Sequence, residues 1–228
     1  MKKVLFVVTS CNEKGETKLP TGFNLAEVTH PLEVLENDGI HVDIASIKGG
    51  AAPLDGLEDF SDPVIAKYWE DMNFRNKIDN TLKLEDVNVK QYDAIFFAGG
   101  HGTMWDFPET PAVINAIREI YEDDKIVSAV CHGPAALVNA TLSDGSHLIS
   151  GKKVAAFTNE EEEEVQSTHV VPFILADALK INEAFHQPAP NWSDNTIVDG
   201  RLITGQNPQS AASVGKALSQ LLLNKSKV

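Results

Sequence analysis

A cysteine followed directly by a histidine is the pair of residues in this chain best suited to chemistry. Cys131 and His132 follow a short apolar run, Ile126 to Val130. The residues two positions before and two positions after the cysteine, Ala129 and Gly133, are small. This is the spacing of a nucleophile elbow, in which the chain turns so tightly from strand to helix that larger side chains would clash. The pattern predicts a thiol at the end of a strand, poised for nucleophilic chemistry.

The residues after the cysteine favour a helix. Pro134 suits the first turn of a helix, where its missing N–H costs nothing, and we predict a helix to about Ala140. The partial positive charge of that N-terminus would favour the thiolate form of Cys131. An isolated cysteine is more often a buried structural residue. The elbow pattern and the adjacent histidine favour the reactive interpretation.

Alternating strands and helices must position this elbow. An apolar strand, a helix over Phe23 to Asn37 and a second strand fit within fifty residues, which implies a right-handed crossover and a parallel sheet. Pro31 predicts that the helix begins, kinks or restarts there. We therefore predict one doubly wound α/β domain over residues 1–228, in which 48–89 form a helical insertion or cap. The predicted strands are Lys3–Thr9, Ile40–Ile47, Tyr92–Ala98, Ile126–Val130, Lys152–Phe157, Trp192–Val198 and Leu202–Thr204, and the other predicted helices are Pro63–Phe74, Asn76–Leu84, Thr110–Tyr121, Pro172–Leu179 and Ala211–Leu223.

Sites in open parallel sheets form at the carboxyl ends of the strands. Four loops should meet there, Ser10–Gly22, Gly99–Phe107, Cys131–Gly133 and Thr158–Glu164. The last of these carries an uninterrupted run of glutamates. One of them can orient His132 as a base, although each taken singly is more often a solvated residue or part of a first helical turn.

Glu27 is a second candidate carboxylate. It lies early in the predicted helix among apolar neighbours, although an exposed helix glutamate is the common alternative. In an apolar pocket beside a thiol its pKa would rise, and it could then move protons near neutral pH. Gly100 and the backbone N–H groups of Cys131 and His132 are candidate oxyanion donors.

Several other features have ordinary explanations. Gly99 to Gly102 lack the spacing of a dinucleotide-binding loop, and a tight strand-to-helix turn is sufficient to explain them. His30 and Glu33 could share a helix face, but no further ligands can be named, so we predict no metal site. Cys11 lies in a loop at the same edge of the sheet, and a lone thiol there is most often inert.

Composition limits the possible function. The chain has 228 residues, 43% of them hydrophobic, and a formal net charge of −14. This acidity disfavours nucleic-acid binding, and no apolar stretch is long enough to span a membrane. Two cysteines are too few for a disulfide framework, which suggests a reducing cytoplasm.

The motifs together resemble the ThiJ/PfpI superfamily. The residues that carry the resemblance are the elbow Ala129-Val130-Cys131-His132-Gly133-Pro134-Ala135 and the loop Ala98-Gly99-Gly100-His101-Gly102. One branch, the heat-shock chaperone-like, glutathione-independent glyoxalases (D-lactate dehydratases), is similar also around Glu27, in the Trp105-Asp106-Phe107-Pro108 loop, in Ala156–Glu162 and in Val198–Pro208. The resemblance implies a flavodoxin-like fold with Cys131 as nucleophile, His132 as base and Glu27 beside the thiol. It assigns the acidic partner of His132 to Glu162, among neighbouring glutamates of the same run.

The implied activity is conversion of methylglyoxal to lactate, without a cofactor, by a cytoplasmic homodimer active in stress. A cysteine peptidase or amidase is an alternative, because a Cys–His–Glu set also performs acyl transfer. A predicted wall formed by the insertion and the Trp105 loop favours a small 2-oxoaldehyde instead. A stress holdase and a protein deglycase stay open.

Overall fold

A central, mostly parallel sheet organises the molecule. In the computed structural model, which describes residues 1–55 and 59–224, seven of the described strands pair in the order β3-β2-β1-β4-β5-β9-β8. Every neighbouring pair is parallel except β8 and β9, which are antiparallel. The strands are β1 (Lys3–Val8), β2 (His41–Ser46), β3 (Leu82–Lys83), β4 (Ala94–Phe97), β5 (Ile126–Val130), β6 (Lys153–Val154), β7 (Phe185–His186), β8 (Thr196–Asp199) and β9 (Leu202–Gly205). This arrangement confirms the predicted flavodoxin-like, doubly wound α/β fold.

Helices cover both faces of the sheet. They are α1 (Leu25–Asn37), α2 (Pro63–Glu70), α3 (Met72–Asp79), α4 (Thr103–Asp106), α5 (Pro111–Glu122), α6 (Asn159–Glu164), α7 (Leu175–Ile181) and α8 (Ala211–Asn224). Side chains alternate along β1 because successive residues of a strand point to opposite faces. Leu5 and Val7 therefore join the core under α5, whereas Phe6 and Val8 join the core under α1 and α8. Burial on both faces explains why the central strands are apolar throughout.

The helix that follows β1 runs through its proline. Residues Leu25–Asn37 form one α-helix with Pro31 in its interior, so a helix neither begins nor restarts at Pro31, and a kink there stays a prediction. Asn24 caps the N-terminus, its side chain accepting a hydrogen bond from the Glu27 N–H. Gly215 of α8 lies so close to Pro31 that a Cβ there would be 2.7 Å from the proline Cα. Packing against α8 thus supports the segment where the proline removes a helical hydrogen bond.

Several other predicted elements differ in the structure. The helix predicted over Pro63–Phe74 ends at Glu70, and the strand predicted over Trp192–Val198 begins only at Thr196. The helix after the elbow is only a five-residue 3₁₀ helix, Gly133–Leu137, and does not reach Ala140. The strand predicted over Lys152–Phe157 is limited to β6, which pairs with β7 in a separate two-stranded sheet. The helix predicted over Asn76–Leu84 ends at Asp79, and β3 follows it at the edge of the main sheet. These short edge elements depend on tertiary pairing rather than on local propensity.

The predicted insertion, 48–89, contributes α2, α3 and β3 beside β2. Its residues 56–58 lie outside the described residues, as do 225–228 at the C-terminus. Its role as a cap stays a prediction. No helix in the described parts of the chain is long and apolar enough to cross a membrane.

Candidate active site

The elbow at Cys131 connects β5 to the 3₁₀ helix in a strained conformation. Cys131 has a φ of 60°, which is uncommon for a residue with a Cβ and costs roughly 1–3 kcal/mol. Two backbone hydrogen bonds of 3.0 Å hold it there, from the Cys131 N–H to the Gly205 carbonyl and from the Phe157 N–H to the Cys131 carbonyl. A Cβ on Gly133 would lie 2.2 Å from the Phe97 carbonyl oxygen. The small residue two positions after the cysteine is therefore required by the close approach of β4.

The thiol of Cys131 is buried beside a base and an acid. Its Sγ lies 3.5 Å from Nδ1 of His132, and the Glu27 carboxyl is close enough to hydrogen-bond with it. Burial raises the pKa of the Cys131 thiol well above its ordinary value, and the charge of Glu27 raises it further. The N-terminus of the short helix favours the thiolate as expected, since the His132 N–H lowers the pKa of Cys131, but burial and Glu27 outweigh it. A base must therefore remove the thiol proton.

The Cys131 N–H is already bonded to Gly205, so it is not available as an oxyanion donor. The His132 N–H instead lies by the thiol, where it partly offsets the raised pKa of Cys131. Gly100 turns the chain at the end of β4 with a φ of 99°. Its N–H, together with that of His132, stays a predicted oxyanion donor.

Glu27 lies in the first turn of α1 and is fully buried. Its Oε2 accepts a hydrogen bond of 2.7 Å from the Gly99 N–H. Its Oε1 is buried without a well-formed hydrogen bond in the described part of the chain. Burial raises the pKa of Glu27 to about 8, although the contacts with Cys131 and Gly99 act in the opposite direction. Glu27 is thus a largely protonated carboxyl beside the thiol at neutral pH, in line with the rise expected from the sequence.

The Glu162 carboxylate contacts two histidines, His132 and His101, and only the first contact was predicted from the sequence. Its Oε2 lies 2.7 Å from Nε2 of His132, and its Oε1 lies 2.8 Å from Nε2 of His101. The two imidazole rings lie against each other, tilted by 38°, with centroids 4.3 Å apart. On the far side of His101, Nδ1 lies 3.9 Å from Oδ2 of Asp55. A buried row of charges and rings therefore leads from Asp55 to the thiol.

The electrostatics of this row set the tautomer of His132. Burial and the neighbouring His101 lower the pKa of His132, so that its ring is neutral at neutral pH. Burial alone would raise the pKa of Glu162, but the two imidazoles outweigh it and hold that pKa far below its ordinary value. Because the ionised Glu162 only accepts hydrogen bonds, the proton of His132 lies on Nε2. Nδ1 consequently directs a lone pair toward Cys131.

The capped helix α6 places the glutamates of the run 160–164 in different surroundings. Thr158 caps α6, and Glu161 completes a capping box by accepting a hydrogen bond from the Thr158 N–H. The other oxygen of Glu161 accepts hydrogen bonds from the side chains of Gln206 and Asn207 and from the Trp192 N–H. With Glu161 so fixed, the next residue is directed at His132, while Glu160, Glu163 and Glu164 are exposed. The Thr-x-x-Glu spacing of the capping box was the sequence signal that could have separated these glutamates.

Aromatic rings continue the row toward the surface. Phe157 stacks on His132 with centroids 4.3 Å apart, and Trp192 contacts Phe157 at 5.6 Å. The Trp105 indole lies against Gly15, and the wall expected from the insertion and the Trp105 loop stays a prediction. Neither Phe157 nor Trp192 was singled out from the sequence, because their proximity depends on loops that follow different strands.

His101 was also missed as a site residue, although its loop was recognised. A histidine at the carboxyl end of a strand adjacent to β5 was the available signal. Among the described residues, the group with donors close enough to share a metal ion is His101, His132 and Glu162. Both carboxylate oxygens of Glu162 are already in direct hydrogen bonds with the two rings. The geometry is that of a hydrogen-bonded network rather than of a cage around an ion.

Two residues considered earlier lie in ordinary surroundings. His30 is bonded to Asp62 at 2.9 Å, and Glu33 pairs with Lys67. Cys11 is half-buried, and its thiol donates to the Glu13 carbonyl at 3.2 Å. The structure does not bring them into the network around Cys131.

A family model described as the DJ-1/PfpI family matches residues 18–221, which is most of the chain. The chain belongs to the DJ-1/PfpI family. Glyoxalase 3 of Candida albicans, a curated relative in this family, is 34% identical over 224 residues, covering 92% of this chain and 94% of the relative. The resemblance inferred from the elbow motif is thereby confirmed.

Solved structures of the DJ-1/PfpI fold agree closely with this one. Rapid Encystment Protein 24 KDa of Francisella tularensis matches with a TM-score of 0.93 and 42% identity, covering 96% of this chain and 98% of its own. Glyoxalase III of Candida albicans matches with a TM-score of 0.88 and 30% identity over 95% of both chains.

Proposed function

We propose that this protein is a glutathione-independent glyoxalase that converts methylglyoxal to lactate. One observation carries the proposal: the buried Cys131 thiol lies between an imidazole nitrogen 3.5 Å away and the buried carboxyl of Glu27, whose pKa burial raises to about 8. A thiol, a base and a proton-carrying acid are what the isomerisation of a 2-oxoaldehyde requires. Supporting it, the curated relative and one of the matching solved structures are themselves named glyoxalases.

The first step forms a hemithioacetal. His132 Nδ1 accepts the thiol proton, and Glu162 stabilises the resulting imidazolium through the 2.7 Å hydrogen bond to Nε2. The thiolate attacks the aldehyde carbon, C1, and the aldehyde oxygen takes the proton of Glu27. Glu27 is left as a carboxylate beside the C1–H. A carboxyl with a pKa of about 8 suits this exchange, because both of its protonation states are accessible near neutral pH.

The second step moves hydrogen from C1 to C2. The Glu27 carboxylate removes the C1 proton to give an enediolate, the hydroxyl proton passes from the C1 oxygen to the C2 oxygen, and Glu27 returns a proton to C2 as the C1 carbonyl forms. The product is a lactyl thioester on Cys131. Oxidation at C1 balances reduction at C2, so the step needs no external electron acceptor.

The third step releases the product. Water attacks the thioester carbonyl as the Glu27 carboxylate takes one of its protons, the C–S bond breaks, and the departing thiolate recovers its proton from His132. The N–H groups of Gly100 and His132 stabilise the oxyanion. Lactate leaves and the enzyme returns to its starting protonation state.

Burial of the thiol favours a small substrate over a peptide. Cys131 is only 4% exposed, and Gly100 lies against the backbone of Gly22 and Phe23 beside the site. A peptidase would need an open groove that leads to the nucleophile. Methylglyoxal, CH₃COCHO, has only five heavy atoms and needs no such groove. A homodimer, a cytoplasmic location and a stress role stay predictions.

The test is lactate formation from methylglyoxal without added thiol, followed by NMR. We expect lactate from the wild-type protein and none from Cys131→Ala. Cys11→Ala is the matched control, because it removes the other cysteine at the same edge of the sheet and should keep activity. Equal turnover by Cys131→Ala would refute the proposal. If Cys131→Ala forms no lactate but still suppresses the aggregation of unfolded client proteins, the holdase alternative explains that second activity.

A further inference from the structure

The carboxylate that orients the base is shared equally with a second histidine. His101 is 6% exposed, and its Nε2 contacts the Glu162 oxygen that His132 leaves free. Its ring covers that of His132 at 4.3 Å. In a simple triad the acid serves one imidazole, so a second buried imidazole on the same acid requires an explanation of its own.

The charges of the row account for the pair. Two buried carboxylates, Asp55 and Glu162, flank His101, and one cation between them lowers the cost of burying both. Burial lowers the pKa of His101, but the hydrogen bonds to Asp55 and Glu162 outweigh it and the pKa is raised overall. Thr21 fixes Asp55 in place by donating from its Oγ1 at 2.6 Å. The cation therefore belongs on His101 rather than on His132.

We propose that His101 is a positioning residue that carries the permanent positive charge of the site, and that this charge keeps His132 neutral with Nδ1 free to deprotonate Cys131. A cation stacked on His132 opposes a second proton there. It also offsets the charge of Glu162, which would otherwise draw a proton onto His132. His101 contacts neither thiol nor substrate in this account, and acts only through Glu162 and the ring of His132. The catalytic consequence rests on the glyoxalase function proposed above, whereas the charge assignment does not.

The groups that face His132 come from every element around it. Cys131 lies at the end of β5, Glu27 on α1, Glu162 on α6, His101 after β4, and Asp55 in the loop that precedes α2. Lys14, in the loop after β1, acts on His101 and Asp55 through its charge. Of the described charged groups that act most on His132, His101 is the one whose charge lowers its pKa, whereas Glu162 and Asp55 raise it.

The test replaces His101 by glutamine, which can still donate a hydrogen bond to Glu162 but carries no charge. Loss of the cation should raise the pKa of His132, because a positive charge in a ring 4.3 Å away opposes protonation of the imidazole. The acidic limb of kcat/KM against pH should then move to higher pH by the same amount. A purely structural role of His101 would lower activity at all pH values without moving the limb. His169→Gln, on the exposed surface, is the matched control, and its profile should coincide with that of the wild type.

A measurement without substrate separates this inference from the proposed function. In ¹⁵N NMR spectra of the histidine rings at neutral pH, His101 should show the imidazolium pattern and His132 the neutral Nε2–H tautomer. Asp55→Asn should lower the pH at which His101 loses its proton, which provides a test if the glutamine variant does not fold. A neutral His101 beside a cationic His132, or an unmoved acidic limb in His101→Gln, would overturn the inference. A correct titration pattern without lactate formation would reject only the proposed function.

Discussion

Replacing Glu27 by glutamine should make the protein more stable while it removes activity. The carboxyl is fully buried, and burial raises its pKa from 4.5 to about 8. Between these two pH values the folded state holds the proton and the unfolded state does not. Raising the pH therefore favours the unfolded state, and stability falls through this window. Glutamine does not titrate, and its carbonyl can still accept the Gly99 N–H bond.

The size of the effect follows from the same pKa values. Each pH unit between the two values costs about 1.4 kcal/mol of folding free energy. From about pH 4.5 to about pH 7, the wild type should lose roughly 3 kcal/mol relative to Glu27→Gln. Other groups that titrate in this range, such as Asp106 with a pKa raised by burial to about 6, are common to both proteins and cancel in the difference.

Urea unfolding of both proteins at several pH values measures this difference directly. The gap in the free energy of unfolding should be smallest near pH 4.5 and widen as the pH rises toward 8. Glu119→Gln, exposed on α5, is the control, and its gap should stay flat. If the difference in unfolding free energy between the wild type and Glu27→Gln does not change with pH, the buried carboxyl is ionised at neutral pH. That result would refute the mechanism, which starts from a protonated Glu27.

Three further substitutions test the surroundings of the thiol. Gly99→Ala places a Cβ 2.5 Å from Glu27 Oε2, so we expect at least a tenfold loss of lactate formation and a stability loss of about 1–3 kcal/mol, measured by NMR and urea unfolding. Glu161→Ala removes the acceptor of several buried donors and should cost about 3 kcal/mol in urea unfolding; an unchanged midpoint would contradict its anchoring role. Glu162→Gln keeps the shape but removes the charge that stabilises protonated His132, and should lower kcat by about a hundredfold or more, whereas wild-type turnover would exclude Glu162 from the mechanism.

Strong local patterns were sufficient to predict the centre of the fold. The apolar runs of β1, β4 and β5 and the small residues around Cys131 each have one dominant structural explanation, and the structure contains them. Two-residue strands such as β3 are different, because they exist only where a neighbouring strand offers a partner. The 3₁₀ helix after the elbow is short although its alanines and leucine favour an α-helix, since tertiary context overrides a weak propensity.

The site was predictable where residue type alone implies chemistry. The sequence led to Cys131, His132, Glu27 and Glu162, and these four side chains lie together in the structure. His101 was not found, because its importance comes from sharing a carboxylate with a residue 31 positions away across two strands. The raised pKa of the thiol was not foreseen either, because it depends on the degree of burial, which a sequence does not give.

The sequence of thiol attack followed by proton transfer is tested most directly by carbon NMR with methylglyoxal labelled at its aldehyde carbon. In Glu27→Gln the thiol can still attack, because the imidazolium of His132 can protonate the aldehyde oxygen in place of Glu27, but the C1 proton has no acceptor. The account predicts a bound hemithioacetal signal in this variant, no signal of that kind in Cys131→Ala, and labelled lactate only from the wild type. Labelled lactate formed by Glu27→Gln at the wild-type rate, or by Cys131→Ala at any comparable rate, would contradict it.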